Sequence, residues 1–294
     1  MTSVVAIITY KRRDKVAALI DSIIANCPGV KVAVFEDCGN DGTVEALARG
    51  AVAKPYDEEL DASVWAHPRG YELYAGHQNL GVTAQSNRAI KWFERSGADH
   101  LCLCNDDVIA TGDFVREYAC AHTTVGNHLW TFCDFTGDDY AALTTPFRGF
   151  DIKLQPRMTG MMMSMTKTLV TAIGYFDQTW NSKWGQEHCD FNNRAYFTGL
   201  VQVNGQAMRS LDIVSRHLKS VDGPSTITKE ERPALDKAGE ESINRASADY
   251  EWFAHYRPFG LAWPRIAGGV AGVETELLAR CGYAPVKDWA PPLS

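Results

Sequence analysis

The first fifty residues constrain the fold most, because two kinds of hydrophobic pattern alternate along them. Val4–Thr9 is a nearly continuous apolar run rich in β-branched residues, which suits a strand covered on both faces. Asp14–Asn26 then carries Val16, Leu19, Ile20, Ile23 and Ile24 at helical spacing behind a capping-type acid, and Pro28-Gly29 stops it. Lys31–Glu36 reads as a second strand, Asp37–Gly42 as a turn and Thr43–Arg49 as a short helix. That order predicts an α/β fold with a mostly parallel central sheet flanked by helices.

The rhythm breaks over residues 51–76, which are rich in Pro, Gly, Tyr and acids and read as an insertion or long loop. It returns with a helix over Thr83–Ser96 and a strand over His100–Asn105. A helix over Gly112–His122, a strand over His128–Phe135, a strand over Met161–Ser164 and a helix over Lys167–Ile173 follow. Glu187–Phe197 is expected to be helical up to Gly199. Beyond Gly223 the composition becomes charged and helix-forming, then rich in Trp, Pro and Gly. The expected organisation is one catalytic-size domain over 1–222, divided into halves at 1–110 and 111–222. A helical or irregular C-terminal extension follows over 223–294, with Trp252, Trp263 and Trp289 pinning it to the body.

Composition removes several classes of function. The chain has 294 residues, of which 45% are hydrophobic and 22% charged, ordinary values for a globular protein and too apolar for a disordered one. No apolar run approaches the roughly 18 residues that span a bilayer, and the N-terminus has no basic segment leading into a signal-length apolar run. A cytoplasmic location is the expectation. A formal net charge of −7 argues against non-specific coating of nucleic acid or anionic membrane. The eight cysteines include no C-x-x-C pair, so they read as reduced, mostly buried small side chains rather than a zinc site. Met158 and Met161–Met165 alternate as core residues do, and His67, His77, His100, His122, His128 and His255 read as core or surface residues.

In an open α/β sheet, ligands gather at the carboxyl ends of the strands. Three polar clusters stand there: Thr9-Tyr10-Lys11-Arg12-Arg13-Asp14, then Glu36–Thr43, then Asn105-Asp106-Asp107. Neither a dinucleotide-binding fingerprint nor a phosphate-binding P-loop is present. Acids after a buried strand can instead hold Mg2+ or Mn2+, which neutralises a diphosphate. Taken alone, Asn105-Asp106-Asp107 reads first as a turn with an exposed acidic tip.

Four segments in order, TYKR, EDCGNDGT, NLGVTAQSN and CNDD, resemble the donor-binding half of family 2 glycosyltransferases of the GT-A fold. The second half agrees. Gly160–Met165 with Ile173–Asp177, then Trp184–Asp190 with Arg194 and Gly199, then His217 within Ser215–Ser220, stand in that family's order and spacing. The resemblance covers about residues 3–220 of this sequence.

The resemblance implies a metal-dependent enzyme that moves a sugar from a nucleotide sugar, a UDP-sugar first among them, to an acceptor hydroxyl on a glycan. Thr9 and Tyr10 would flank the nucleobase and Asp37 would accept a hydrogen bond from it. Arg12 and Arg88 would meet the diphosphate. Asn105 would contact the ribose or the metal, with Asp106 beside it in the donor set. Asp107 would be the principal ligand of Mn2+ or Mg2+ and His217 the second. Trp184 and Gly185 would line the acceptor. The base that deprotonates the acceptor would come from Glu187, His188 and Asp190. The family commonly has Asp where this chain has His188, so His188 itself, a neighbouring acid, or a retaining reaction without a base all remain open. Glu187 is the most useful carboxylate. Its bland alternative, shared with Asp190, is to cap a helix N-terminus.

Rival readings are DNA with hydroxymethylated bases as the acceptor, and a non-catalytic nucleotide- or sugar-binding scaffold with a decayed site. The net charge opposes the first, since duplex binding recruits Lys and Arg to phosphates. A nucleotidyltransferase of the same fold would open with a Gly-rich loop, which TYKRRD is not.

Overall fold

The computed structural model describes residues 1–126, 128–132, 143–154, 160–176, 188, 191–192, 195, 202–203, 206–207 and 211–221. Its spine is a parallel array in which β1 (Ser3–Thr9) lies between β2 (Lys31–Glu36) and β6 (His100–Asn105). Alternate residues of these strands enter opposite cores. Val5, Ile7, Val32, Val34, Cys102 and Cys104 face one cluster, whereas Val4, Ala6, Ala33, Phe35, Leu101 and Leu103 face the other. Both faces are therefore apolar, as the unbroken run at Val4–Ile8 requires.

Helices cover each face. α1 (Arg13–Asn26) buries Val16, Leu19, Ile20 and Ile23 on the first, joined there by α4 (Phe114–Thr124) through Phe114, Val115, Tyr118 and Ala121. α3 (Gly81–Ser96) buries Ala89, Ile90, Trp92 and Phe93 on the second, joined by Leu169, Val170 and Ile173 of α5 (Lys167–Ile173). The short α2 (Thr43–Leu47) sits beside α1. Met161 and Met162 enter the first core and Met163 and Met165 the second, which makes the methionine run packing material. Cys27, Cys102 and Cys104 are free and buried, and burial holds their thiols protonated.

The expected loop at 51–76 is three strands: β3 (Val52–Asp57), β4 (Ala62–His67) and β5 (Tyr71–Gly76). β5 pairs parallel with β2, while β3 and β4 fold back antiparallel at the sheet edge. The turn-forming residues misled because they belong to an edge. Residues Val52–Tyr56 are all exposed, and Lys54 and Pro55 sit there, residues that protect an edge strand from pairing with another chain.

The other flank begins at β11 (Met162–Thr166), antiparallel to β6, and continues through β8 (Trp130–Phe132), β14 (Leu211–Ile213), β10 (Phe150–Leu154) and β9 (Leu143–Phe147). The eleven-stranded sheet is thus parallel over β5-β2-β1-β6 and largely antiparallel on both sides. Two small ladders stand apart: β12 (Gln202–Val203) with β13 (Gln206–Ala207), and β7 (Val108–Ala110) with β15 (Leu218–Ser220). α1 grips β7, since Ser22 Oγ accepts the Ala110 N–H and Asn26 Nδ2 donates to the Ala110 carbonyl. Residues 222–294, and with them the expected extension, lie outside the described residues.

Candidate functional site

The three polar clusters meet at the carboxyl edge of the parallel strands. β1 ends on Thr9, whose carbonyl accepts the Asp37 N–H at 3.1 Å, so the first two strand ends are tied at the backbone. Thr9 Oγ1 donates to Asp106 at 2.7 Å, and Arg12 Nη1 pairs with the same carboxylate at 3.0 Å. Asp106 is 5% exposed, and burial pushes its pKa up against the opposing pull of Thr9 and Arg12. Arg12 is thus paired with Asp106. The Tyr10 ring carries Lys11 Nζ at 5.0 Å from its centroid.

Asp107 is the residue left over. Its Oδ1 is buried and has no hydrogen-bond partner among the described residues. Burial first, and the neighbouring Asp106 charge second, raise its carboxyl to about 6. A buried carboxylate oxygen without a partner is costly, and what relieves it is a proton or a cation. Arg12, the Asp107 backbone N–H and Lys15 supply only partial compensation.

Asn105 and Asp37 are both tied into the fold around the site. Asn105 Nδ2 donates to the Gly160 carbonyl at 2.8 Å, and its backbone N–H donates to Met161. Asp37, 3% exposed, accepts from the Leu80 and Gly81 N–H groups at 2.8 Å each and from Gln85 Nε2 at 2.6 Å. It caps α3, which has no capping side chain of its own. Gln85 carried no sequence signal for this role. Glu36, fully buried, accepts the N–H groups of Cys38 and Gly39 and so shapes the turn that follows.

Arg88 is drawn away from the acidic loop. Its Nη2 donates to the Asp61 carbonyl at 3.0 Å and lies 3.3 Å from the Asp61 carboxylate, and its other terminal nitrogen lies against Gly76. It faces the carboxyl end of β5. Three strand spacings separate β5 from β6, roughly 14 Å, so Arg88 and Asp107 occupy opposite ends of this edge.

His217 is not brought to Asp107. In the β7–β15 ladder Leu218 stands opposite Ala110 and Ser220 opposite Val108, and the Thr111 N–H bonds the His217 carbonyl. The residue that reaches Asp107 is Val221, whose N–H bonds the Asp107 carbonyl at 2.7 Å. His217 is therefore four residues along the strand, roughly 13 Å away. Its ring fills the space that a side chain at Gly112 would take.

His188, by contrast, arrives at the edge. Its ring lies over Gly160, with three ring atoms 3.2 Å from where a Cβ would stand. The ring also meets Phe176 edge-on at 5.9 Å, and Phe176 stacks on Phe191 at 4.0 Å. Asn87 of α3 fixes Phe176 by bonding both its carbonyl and its N–H. A continuous set of contacts thus runs Asn105–Gly160–His188–Phe176–Asn87. Gly160 is the participant whose importance a single sequence does not announce. Trp184, Gly185, Glu187 and Asp190 lie outside the described residues.

Among the described residues no group of three or more His, Cys, Asp or Glu could hold a metal ion. The bare Asp107 oxygen nevertheless fits one ligand of a divalent cation, and oxygen donors suit Mg2+ and Mn2+. No helix of the described residues is long and apolar enough to cross a membrane.

No protein-family model and no curated protein matches the sequence. Solved structures do match. The mannosyltransferase PcManGT from Pyrobaculum calidifontis, in complex with GDP-Man and Mn2+, is 13% identical with a TM-score of 0.50; the match covers 79% of this chain and 59% of that one. S. aureus TarS 1-349 in complex with UDP-GlcNAc is 14% identical with a TM-score of 0.53, over 94% of this chain and 77% of that one. GalNAc-T7 with UDP, GalNAc and Mn2+ is 11% identical with a TM-score of 0.58, over 96% and 55%. The chain thus spans less than two thirds of the mannosyltransferase and of GalNAc-T7. At these identities the likeness is one of fold.

Proposed function

We propose that this chain, which has the GT-A fold, is a metal-dependent glycosyltransferase that moves a sugar from a nucleotide sugar to an acceptor hydroxyl. The observation that carries the reading is Asp107: a half-buried carboxylate whose buried Oδ1 has no partner among the described residues, at the strand edge where this architecture binds ligands. The solved neighbours support the donor class, since their complexes contain GDP-Man, UDP-GlcNAc or UDP, two of them with Mn2+. UDP-sugars are the donors proposed first, and a glycan hydroxyl the acceptor.

Asp107 would hold the cation, which when bound neutralises the departing diphosphate. The chain's own residues do the rest. Thr9 and Arg12 hold Asp106 in place and so fix the loop that presents Asp107. Tyr10, at the end of β1, is proposed to face the nucleobase. Arg88, at the other end of this edge, binds Asp61 in the β3–β4 connection through one terminal nitrogen. His217 is not retained as a metal ligand, because the ladder register holds it away from Asp107. Proton removal from the acceptor is assigned to the 187–190 segment, of which His188 is held against the donor loop through Gly160.

Nucleotide release from UDP-, GDP-, dTDP- and CDP-sugars, with and without acceptor glycans, tests the reading. The wild-type chain is expected to consume one donor in Mn2+ and not in EDTA, and Asp107→Ala to lose this by at least about 100-fold. Equal turnover by Asp107→Ala, or no turnover of any donor, would remove it.

A further inference from the structure

Far from the acidic loop, at the opposite end of β6, a second titratable cluster lies in the core. His100 of β6 and His122 of α4 are 0% and 5% exposed, and their ring centroids are 5.1 Å apart. Both reach one hydroxyl: Ser164 Oγ of β11 lies 2.7 Å from His100 Nε2 and 2.9 Å from His122 Nε2. The other nitrogen of His100 lies 2.9 Å from Ser3 Oγ on β1, while His122 Nδ1 is buried and has no partner among the described residues.

One hydroxyl proton cannot serve two acceptors, which orients the chain. A bare Nδ1 lone pair costs less than a buried N–H without an acceptor, so His122 carries its proton on Nε2 and donates to Ser164. Ser164 then donates to His100 Nε2, and His100 Nδ1–H donates to Ser3. Every link is satisfied while both rings are neutral. A proton added to His122 would sit on Nδ1 with no acceptor among the described residues.

The groups facing the pair oppose positive charge. The N-terminal amine acts on His100, and His100 and His128 act on His122, while the Ser164 backbone pulls weakly the other way. The Cys102 thiol, 3.8 Å from His100 Nε2, is itself held protonated by burial. No carboxylate is among the groups that shift either ring.

We propose that the His100–Ser164–His122 chain is an acid-release latch, which holds α4 to the β6–β11 joint while both rings are neutral and lets go when they take up protons. Burial lowers His100 to about 4 and His122 well below its ordinary value. A lowered imidazole contributes stability above its ordinary value near 6.5, and this is lost as pH falls toward the folded value. The sensitive window is therefore from about 6.5 down to about 4.

Hydrogen exchange on the full chain at pH 7.5 and pH 5.0, corrected for intrinsic rates, tests this. The α4 and β8 amides are expected to lose protection at pH 5.0 while α1 and β2 keep theirs. His122→Gln, which keeps a donor for Ser164 and cannot charge, is expected to keep α4 protected. It should also remove about one ten-fold step per pH unit from the acid dependence of the unfolding constant. Equal α4 protection in the wild-type chain at both pH values, uniform loss across all elements, or an unchanged acid dependence in a folded His122→Gln would each overturn the proposal. The wild-type comparison stands even if that variant does not fold.

Discussion

Two adjacent acids, Asp106 and Asp107, show how little residue identity says without partners. Asp106 is satisfied by Thr9 and Arg12; Asp107 one position later is not. Its raised carboxyl marks a charge that the fold tolerates rather than welcomes. Asp107→Asn is therefore expected to stabilise the metal-free protein at pH 7.5 by about 1–3 kcal/mol while abolishing any Mn2+-dependent gain. Thermal melts in EDTA and in Mn2+ check both halves. The sign follows from a pKa raised above its unfolded value: the protonated form is favoured, so the wild-type penalty grows as pH rises through about 6. The position of Asp107 after a buried strand was legible in the sequence. That Asn105 would hold Gly160 and that His217 would face Thr111 was not, since both depend on pairings between segments 55 and 106 residues apart.

Among the elements, α3 shows how the site is supported. The helix begins without a cap of its own and borrows Asp37 from the second strand end, which satisfies two of its free N–H groups and meets the positive end of its dipole. Asp37→Asn places an amide N–H against backbone donors. It is expected to cost about 1–3 kcal/mol, read as a lowered urea midpoint with an unchanged slope. An unshifted midpoint would mean that Asp37 is free for another partner. The alternating core faces of β1, β2 and β6 were readable because a buried strand declares itself by an unbroken apolar run. β3 was not, because an exposed edge strand needs no apolar pattern and its Pro and Lys look like loop residues. The short β7 is three residues long, too short to stand out in the sequence, and is held by Ser22, Asn26 and β15.

In the whole molecule, β6 and β11 form the joint. On one side lies the parallel array with Thr9, Asp37 and Asp107 at its carboxyl edge; on the other lies the antiparallel flank that starts from Gly160 and carries the contact to His188. The acidic loop closes one end of this joint and the neutral histidine chain the other. The carboxyl edge is proposed as a cation-dependent nucleotide site. Thermal melting of the wild-type chain with UDP, GDP, dTDP and CDP, each in Mn2+ and in EDTA, tests it most directly. A nucleotide present at 100 times its Kd adds about 2.7 kcal/mol to the native state. One nucleotide is expected to give a clear shift in Mn2+ that disappears in EDTA; no shift with any of the four, or one indifferent to the metal, would rule the site out.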